Sequence, residues 1–334
     1  MTNAFSFLDV TSAPAAERMW SEVAAASPEA WLWHTWRTLT FTISAGAALH
    51  PANASFFVMD GADIVGIVPL VIHDGSAGGR EASYHPGIGF LPWPACIPGY
   101  DRSRFDDAAF PELERRASAA GASYISVSLA TPHTGHEEGE RAGRVANEFG
   151  YSLSHFDMHS TVPTQESLAK AKSRYDFKHF SPGFAFSVAE GEAVTSELEA
   201  SYRIVHTKDA GRIVRSPESY GLQADFARHG EAFFVVATLK EKSAVAGIAL
   251  VSFAKGVAYY YSVAIDPEYR RMCVAYQLQC VALDELIKRG ITQYDLGPKA
   301  GAGADPKELG ISRFKEKISR GVTRPIYRIE KGLS

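Results

Sequence analysis

A strand that runs straight into a helix start flanked by two arginines is where this chain's chemistry first shows. Val257 to Ile265 is a β-branched and aromatic run; it passes through Asp266-Pro267-Glu268-Tyr269-Arg270-Arg271 and enters an apolar helical pattern from Val274 to Arg289. The free N–H groups and positive dipole end of such a helix favour an anion, phosphate above all, and Arg270 and Arg271 add charge there. Other constellations carry less. His133-Thr134-Gly135-His136-Glu137-Glu138 has metal-friendly residue types in a polar loop, without a ligand frame. His155 and His159 lie in a strand-like context that does not place both on one helical face, and His34 and His206 read as a packed and a capping histidine. Gly297, Gly301 and Gly303 lack the third glycine and the preceding context of a dinucleotide fingerprint. With no Gly-Lys-Ser/Thr loop and no Gly-x-Ser-x-Gly elbow, neither nucleotide hydrolysis nor serine-hydrolase chemistry is supported.

The elements that must position these residues occur twice, about 180 residues apart. Phe56-Phe57-Val58-Met59, an Asp60-Gly61 turn and Val65 to Val71 form the first hairpin pattern. Phe233-Phe234-Val235-Val236, a Lys240 to Ser243 turn and Ala246 to Val251 form the second, with the same Phe-Phe-Val opening and the same internal glycine, Gly66 and Gly247. Each copy continues through a helix that stops at a glycine and a closing strand: Pro111 to Gly121 then Tyr124 to Leu129, and Tyr276 to Gly290 then Ile291 to Leu296. Pro163 marks a boundary before a helix-like segment, Glu166 to Phe180. The expectation is an α/β protein of two units, 1–162 and 163–334, each a mixed β-sheet flanked by helices.

Composition excludes several classes. The chain has 334 residues, 46% hydrophobic and 22% charged, values of an ordinary globular protein. Its longest apolar run, Ile64 to Ile72, contains Gly66 and Pro69 and reads as a strand, so no membrane insertion is expected. Three cysteines, Cys96, Cys273 and Cys280, are too few and too scattered for a disulfide framework or a zinc site. Together with an N-terminus lacking a leader pattern, they point to the cytoplasm. The net charge of -4 argues against DNA as a partner, yet Arg313 to Lys331 carries seven basic residues against two acidic ones.

The segment Arg270-Arg271-Met272-Cys273-Val274-Ala275 resembles the frame with which the GNAT acyltransferase superfamily holds the coenzyme A pyrophosphate. The opening Arg and closing Ala match, and Cys273 stands where the frame has its first Gly. Tyr294-Asp295-Leu296-Gly297, followed by Gly310-Ile311-Ser312-Arg313-Phe314-Lys315 and Gly321, resembles the closing portion of Fem-type (FemAB-like) double-GNAT proteins. Trp33 to Trp36, Pro86 to Tyr100 and Ser173-Arg174 fit the same layout. The resemblance implies two tandem GNAT-like domains over nearly the full length, the first shaping the acceptor side and the second binding the donor.

It further implies an N-acyltransferase that moves an acyl group from acyl-CoA to the amine of a small molecule, with no permanently bound cofactor. A Fem-type enzyme using aminoacyl-tRNA is the alternative, and a non-catalytic binding module a third reading. Cys273 and the basic segment favour tRNA; overall acidity and the lack of a long charged helical insertion favour a thioester. In this pattern Arg270, Arg271, Val274 and Ala275 hold the donor phosphates, Lys315 stabilises charge, and Trp36, Tyr100, Arg174 and Arg215 contact the acceptor. Amide formation needs a neutral amine, a carbonyl within reach and donors for the oxyanion, but no covalent enzyme intermediate. For the proton acceptor Asp101, in the Gly- and aromatic-rich stretch from Tyr84, competes with Asp295 and with solvent. Tyr259, Tyr260 and Tyr261 alternate between core and cleft.

Overall fold

The computed structural model describes residues 5–75, 78–84, 89–130, 136–175, 183–213, 215–301 and 303–333. The chain forms two compact units, Met1–Asp157 with Pro325–Ser334, and Met158–Arg324. This division differs from 1–162 and 163–334 chiefly at the C-terminus, where the last residues return to the first unit. The cause is strand pairing, which a sequence pattern does not encode across such a separation.

In the first unit the elements are β1 (Ser6–Asp9), α1 (Ala16–Ala26), α2 (Trp36–Ala45), β2 (Ala52–Asn53), β3 (Phe56–Asp60), β4 (Asp63–Val68), β5 (Val71–Gly75), β6 (Gly79–Ala82), β7 (Leu91–Pro92), β8 (Ala95–Cys96), α3 (Arg102–Ala119), β9 (Ala122–Leu129) and α4 (His136–Phe149). β10 (Ser152–Val162) then leads into the second unit. One sheet has the order β1-β3-β4-β8; in another, β2, β5, β6 and β9 follow one another, and β9 pairs with the last strand of the chain, β16 (Thr323–Gly332), from Tyr327 to Gly332. β6 and β7 both run parallel to β9. The apolar run at Ile64 to Ile72 is therefore two strands in two sheets, because Pro69 has no N–H to continue a ladder. α3 begins well before Pro111: Asp101 caps it by accepting the Arg104 N–H at 3.0 Å, and Pro111 is absorbed within the helix.

The second unit comprises α5 (Gln165–Tyr175), β11 (Phe184–Ala189), α6 (Ser196–Ala210), α7 (Pro217–Arg228), β12 (Ala232–Leu239), β13 (Val245–Ala254), β14 (Val257–Ile265), α8 (Val274–Lys288), β15 (Gln293–Pro298) and α9 (Pro306–Ser319). Its sheet runs β11-β12-β13-β14-β15 and ends on the 158–162 part of β10; only β14 and β15 are parallel. The expected helix Glu166 to Phe180 corresponds to α5 as far as Tyr175, and 176–180 lie outside the described residues.

The internal glycines of the two hairpins have the same physical cause. A Cβ on Gly247 would stand 2.8 Å from Ile265 Cδ1 and 2.9 Å from Val274 Cγ1, and one on Gly66 would overlap the Phe105 ring. In each unit the glycine lets a helix, α8 or α3, lie directly on the hairpin. Each helix buries an apolar face there: Val274, Leu278, Ala282 and Leu286 in one, Phe105, Ala109, Leu113 and Ala117 in the other.

Candidate active site

The second unit opens in the middle of its sheet. β14 and β15 pair in parallel only at Val257/Gln293, Ala258/Tyr294 and Tyr259/Asp295. Beyond that point β14 stays with β13 as far as Ile265, while β15 turns to β10 through Thr161 and His159. Two parallel strands that part leave a crevice at their carboxyl ends, where α/β sheets bind ligands. Tyr259, Tyr261 and Val263 are half-buried on the strand that leaves, whereas Tyr260 faces the core against Tyr294, as the alternation requires.

One wall of the opening is a buried charge cluster at the end of β15. The Asp295 carboxylate has no exposure and accepts from Arg324 Nε at 3.0 Å and Nη2 at 2.5 Å, from His159 Nδ1 at 3.0 Å, and from the Gly297 N–H at 2.6 Å. Burial raises its pKa, but His159 and Arg324 outweigh burial and hold it well below the ordinary carboxylate range. So engaged, Asp295 is no proton acceptor at neutral pH; it folds the Gly297 turn.

α9 brings Lys315 to that turn. Asp305 and Glu308 form a reciprocal capping box with Pro306 at the first helical position, so the helix has a defined start. Phe314 packs on Tyr276 of α8, ring centroids 4.9 Å apart, and Ser312 Oγ accepts the Ala300 N–H. Anchored on both sides, α9 buries Lys315 to 9% exposure, with Nζ donating to Pro298 O at 3.0 Å. Burial lowers the Lys315 pKa to about 8 against an opposing pull from Asp295. Gly297 has φ +82, and a Cβ there would lie 3.1 Å from Tyr259 Oη and 3.3 Å from Lys315 Nζ. Strand end, lysine and tyrosine thus meet at one point, and only glycine fits between them.

On the other strand, Pro267–Met272 forms a 3-10 turn and α8 starts at Val274. Cys273 takes the left-handed conformation (φ 58, ψ 23), the backbone that a glycine at this point of the frame would adopt. Tyr276 and Gln277 N–H groups turn onto Cys273 O, leaving the amides of Val274 and Ala275 first in the helix. Val274's side chain is core, so its part in binding is limited to its backbone. Arg271 is exposed, while Arg270 is bound to Asp209, through Oδ1 at 2.6 Å and O at 2.7 Å, and so fastens α6. Because a side chain in the left-handed region is strained, Cys273→Gly is expected to raise stability by about 0.5–1 kcal/mol after the added freedom of the unfolded glycine is deducted. A thermal melt reads this directly.

Among its described residues the first unit has no such opening. β7 occupies the corresponding interval, Leu91 and Trp93 are buried, and the Trp93 N–H donates to Ser128 O on β9. At the start of α3, the counterpart of α8, the Asp101 carboxylate caps the helix and sets negative charge where the second unit offers free amides. Tyr100 packs on the core of that unit, and Trp36, the first residue of α2, meets Trp20 edge-on at 6.2 Å. Arg174 is on α5 with its side chain outside the described residues; of the expected polar loop, His133 to Gly135 lie outside them, whereas His136, Glu137 and Glu138 open α4, where two acids suit the positive end of a helix. Arg215 is half-buried ahead of α7 and donates to Gln223 Oε1 at 3.0 Å.

His34 is packed, accepting the Trp31 N–H and bonding Trp93 O. His206 is not a cap: it lies within α6, its ring against Tyr202 and Tyr220, with Nδ1 bonded to Tyr220 Oη at 3.1 Å. The basic segment is not one face either. Lys315 and Arg324 are buried in the second unit, while in the first Arg328 lies over Phe90 and Lys331 pairs with Glu114. His159, Arg324 and Tyr259 join this candidate site without a sequence signal, apart from the tyrosine run. Among the described residues no group of three or more His, Cys, Asp or Glu could hold a metal, and no helix is long and apolar enough to cross a membrane.

Residues 171–316 match the family described as "Acetyltransferase (GNAT) domain". In structure the chain is similar to FemX, with a TM-score of 0.69 and 12% identity over 98% of this chain and 97% of that one. It is also similar to a tandem GNAT protein from the clavulanic acid biosynthesis pathway (TM-score 0.60, 12% identity, 99% of each chain). A third likeness is to L-PGS from Bacillus licheniformis (0.56, 13%, 94% of this chain and 89% of that one). At these identities the likeness is one of fold. No curated protein matches in sequence.

Proposed function

We propose that this chain, which carries a GNAT acetyltransferase domain in its second half within a double-GNAT, Fem-like fold, is an N-acyltransferase that uses an acyl-CoA donor and a small-molecule amine. The observation that carries the proposal is the parting of β14 and β15 after Tyr259 and Asp295, with the free amides of α8 beyond one strand and Lys315 at the end of the other. Pyrophosphate is matched to the first, with Arg271 adding charge, and the thioester arm to the gap between the strands. The amine nitrogen attacks the thioester carbon, the C–N bond forms and the C–S bond breaks. The proton lost by the nitrogen passes to solvent or a nearby base, and the departing thiolate is protonated to the free thiol.

Lys315, charged in its major form at neutral pH and partly dry, faces the negative charge that develops in this step. The first unit, with its interval plugged and an acid at its helix start, takes no donor. The left-handed backbone at Cys273 supports coenzyme A, and dispersal of the basic segment weakens the case for tRNA. Incubating the protein with acetyl-CoA and a panel of amines while following free thiol tests the reading. Amine-dependent thiol release is expected. If no amine releases thiol from acetyl-CoA, or if an amide product forms only when aminoacyl-tRNA, an ester whose leaving group is a ribose hydroxyl, is the donor, the acyl-CoA reading is overturned.

A further inference from the structure

Arg215 stands out among the sequestered arginines of the second unit. Arg228 pairs with Glu199 and Asp225, Arg289 with Glu285 and Glu190, and Arg324 with Asp295. The half-buried Arg215 meets neutral groups instead: Nη1 donates to Gln223 Oε1 at 3.0 Å and reaches Tyr202 Oη at 3.5 Å, and no carboxylate among the described residues pairs with it. The groups around it from α6, α7 and β14 are Tyr202, His206, Tyr220, Gln223 and Tyr261. None is acidic, and His206 is held near 4, by burial first and by Arg215 second.

Gln223 is fully buried, both the Tyr202 hydroxyl and Arg215 donate to its Oε1, and its Nε2 makes no well-formed hydrogen bond and meets only the Tyr261 hydroxyl. A buried amide nitrogen facing only a phenol, beside a guanidinium without a counter-ion, is an arrangement of donors awaiting an anion. Tyr261 connects it to the cleft, since its ring lies 6.3 Å from that of Tyr259, whose hydroxyl stands at Gly297 beside Lys315.

We propose that Arg215 and Gln223 Nε2 bind a carboxylate of the acceptor, so that the acceptor is an amino acid or another amine bearing a carboxylate. This rests on the acyl-transfer reading of the same cleft. A guanidinium offers a planar fork to a carboxylate, and a neutral amide in its place leaves the charge and the buried Gln223 nitrogen unmatched.

The test titrates the full chain with the common amino acids and their carboxamides, reading the Arg215 Nε–H resonance for binding and thiol release from acetyl-CoA for turnover. At least one amino acid is expected to shift the resonance and to bind 10- to 100-fold more tightly than its carboxamide. Arg215→Gln should erase that ratio, Arg215→Lys should restore part of it, and Gln223→Glu, which supplies an internal carboxylate, should erase it while the fold is retained. Equal binding of acids and amides, or no response of Arg215 to any amino acid, overturns the carboxylate site. Carboxylate discrimination without thiol release from any donor overturns the acyl-transfer reading and with it the acceptor assignment. Thiol release indifferent to the carboxylate overturns the site alone.

Discussion

Lys315→Met is expected to lower amine acylation by about 10²–10³-fold, the typical loss when one preorganised donor to a developing oxyanion is removed, and at the same time to stabilise the protein. The two effects have one origin. Lys315 is an ammonium buried at the Gly297 turn that donates to Pro298 O, and burial holds its pKa near 8, below the ordinary lysine value. The unfolded chain therefore binds this proton more tightly than the folded one, and stability rises with pH between about 8 and 10.5. Below pH 8 the fold carries the full penalty of a dry charge, so methionine should gain about 2–3 kcal/mol there, and less as the pH passes 10. Denaturant melts at pH 7 and pH 10 measure the gain. For catalysis the ratio of wild-type to variant rate cancels the ionisation of the acceptor. That ratio should fall as pH rises through 8 if the protonated lysine acts; a ratio that climbs would assign Lys315 to proton removal instead.

Asp295→Ala should be the most damaging single change in the second unit. It strips Arg324, His159 and the Gly297 N–H of their acceptor at once, inside a site from which water is excluded. Removing one partner of a buried ion pair costs about 3–5 kcal/mol, or a fall of roughly 10 °C in Tm for a protein of this size. Since the Asp295 pKa is depressed in the fold, its contribution is fully present above about pH 4 and drains away as the pH falls further. Wild type and variant should therefore differ widely at pH 7 and converge toward pH 2, as urea midpoints at the two pH values will report. Activity should also drop, because the turn that aligns Gly297 with Lys315 is tied to this carboxylate.

Much of the architecture is written in local pattern. The twin glycines of the hairpins could be read because each is demanded by a helix pressed on the sheet. The strand Val257–Ile265 and the helix after it were legible as residue types with a period. The Phe314-Lys315 pair was legible as a family resemblance, and its physical basis is the Phe314 contact with Tyr276 that turns the lysine inward.

What local pattern does not hold is long-range partnership. Asp295 lies 136 residues from His159 and 29 from Arg324, so the cluster exists only once β10, β15 and β16 are in place. Arg324 therefore read as one cation among seven rather than as a buried counter-ion. Asp101 read as a free loop carboxylate because its capped helix runs through Pro111, where the pattern suggested a helix start. Trp36 and Tyr100 have the residue types of a binding surface, but in the fold they pack in the first unit.

A donor is expected to enter between β14 and β15 of the second unit, and hydrogen exchange with and without coenzyme A tests this entry most directly. Protection is expected at 271–277, where the Val274 and Ala275 amides are free to meet pyrophosphate, and at 295–300 beside Lys315. Arg271→Ala should weaken it about tenfold through loss of one charged hydrogen bond. Protection at the start of α3, around 101–105, or no protection in either unit, would contradict the account.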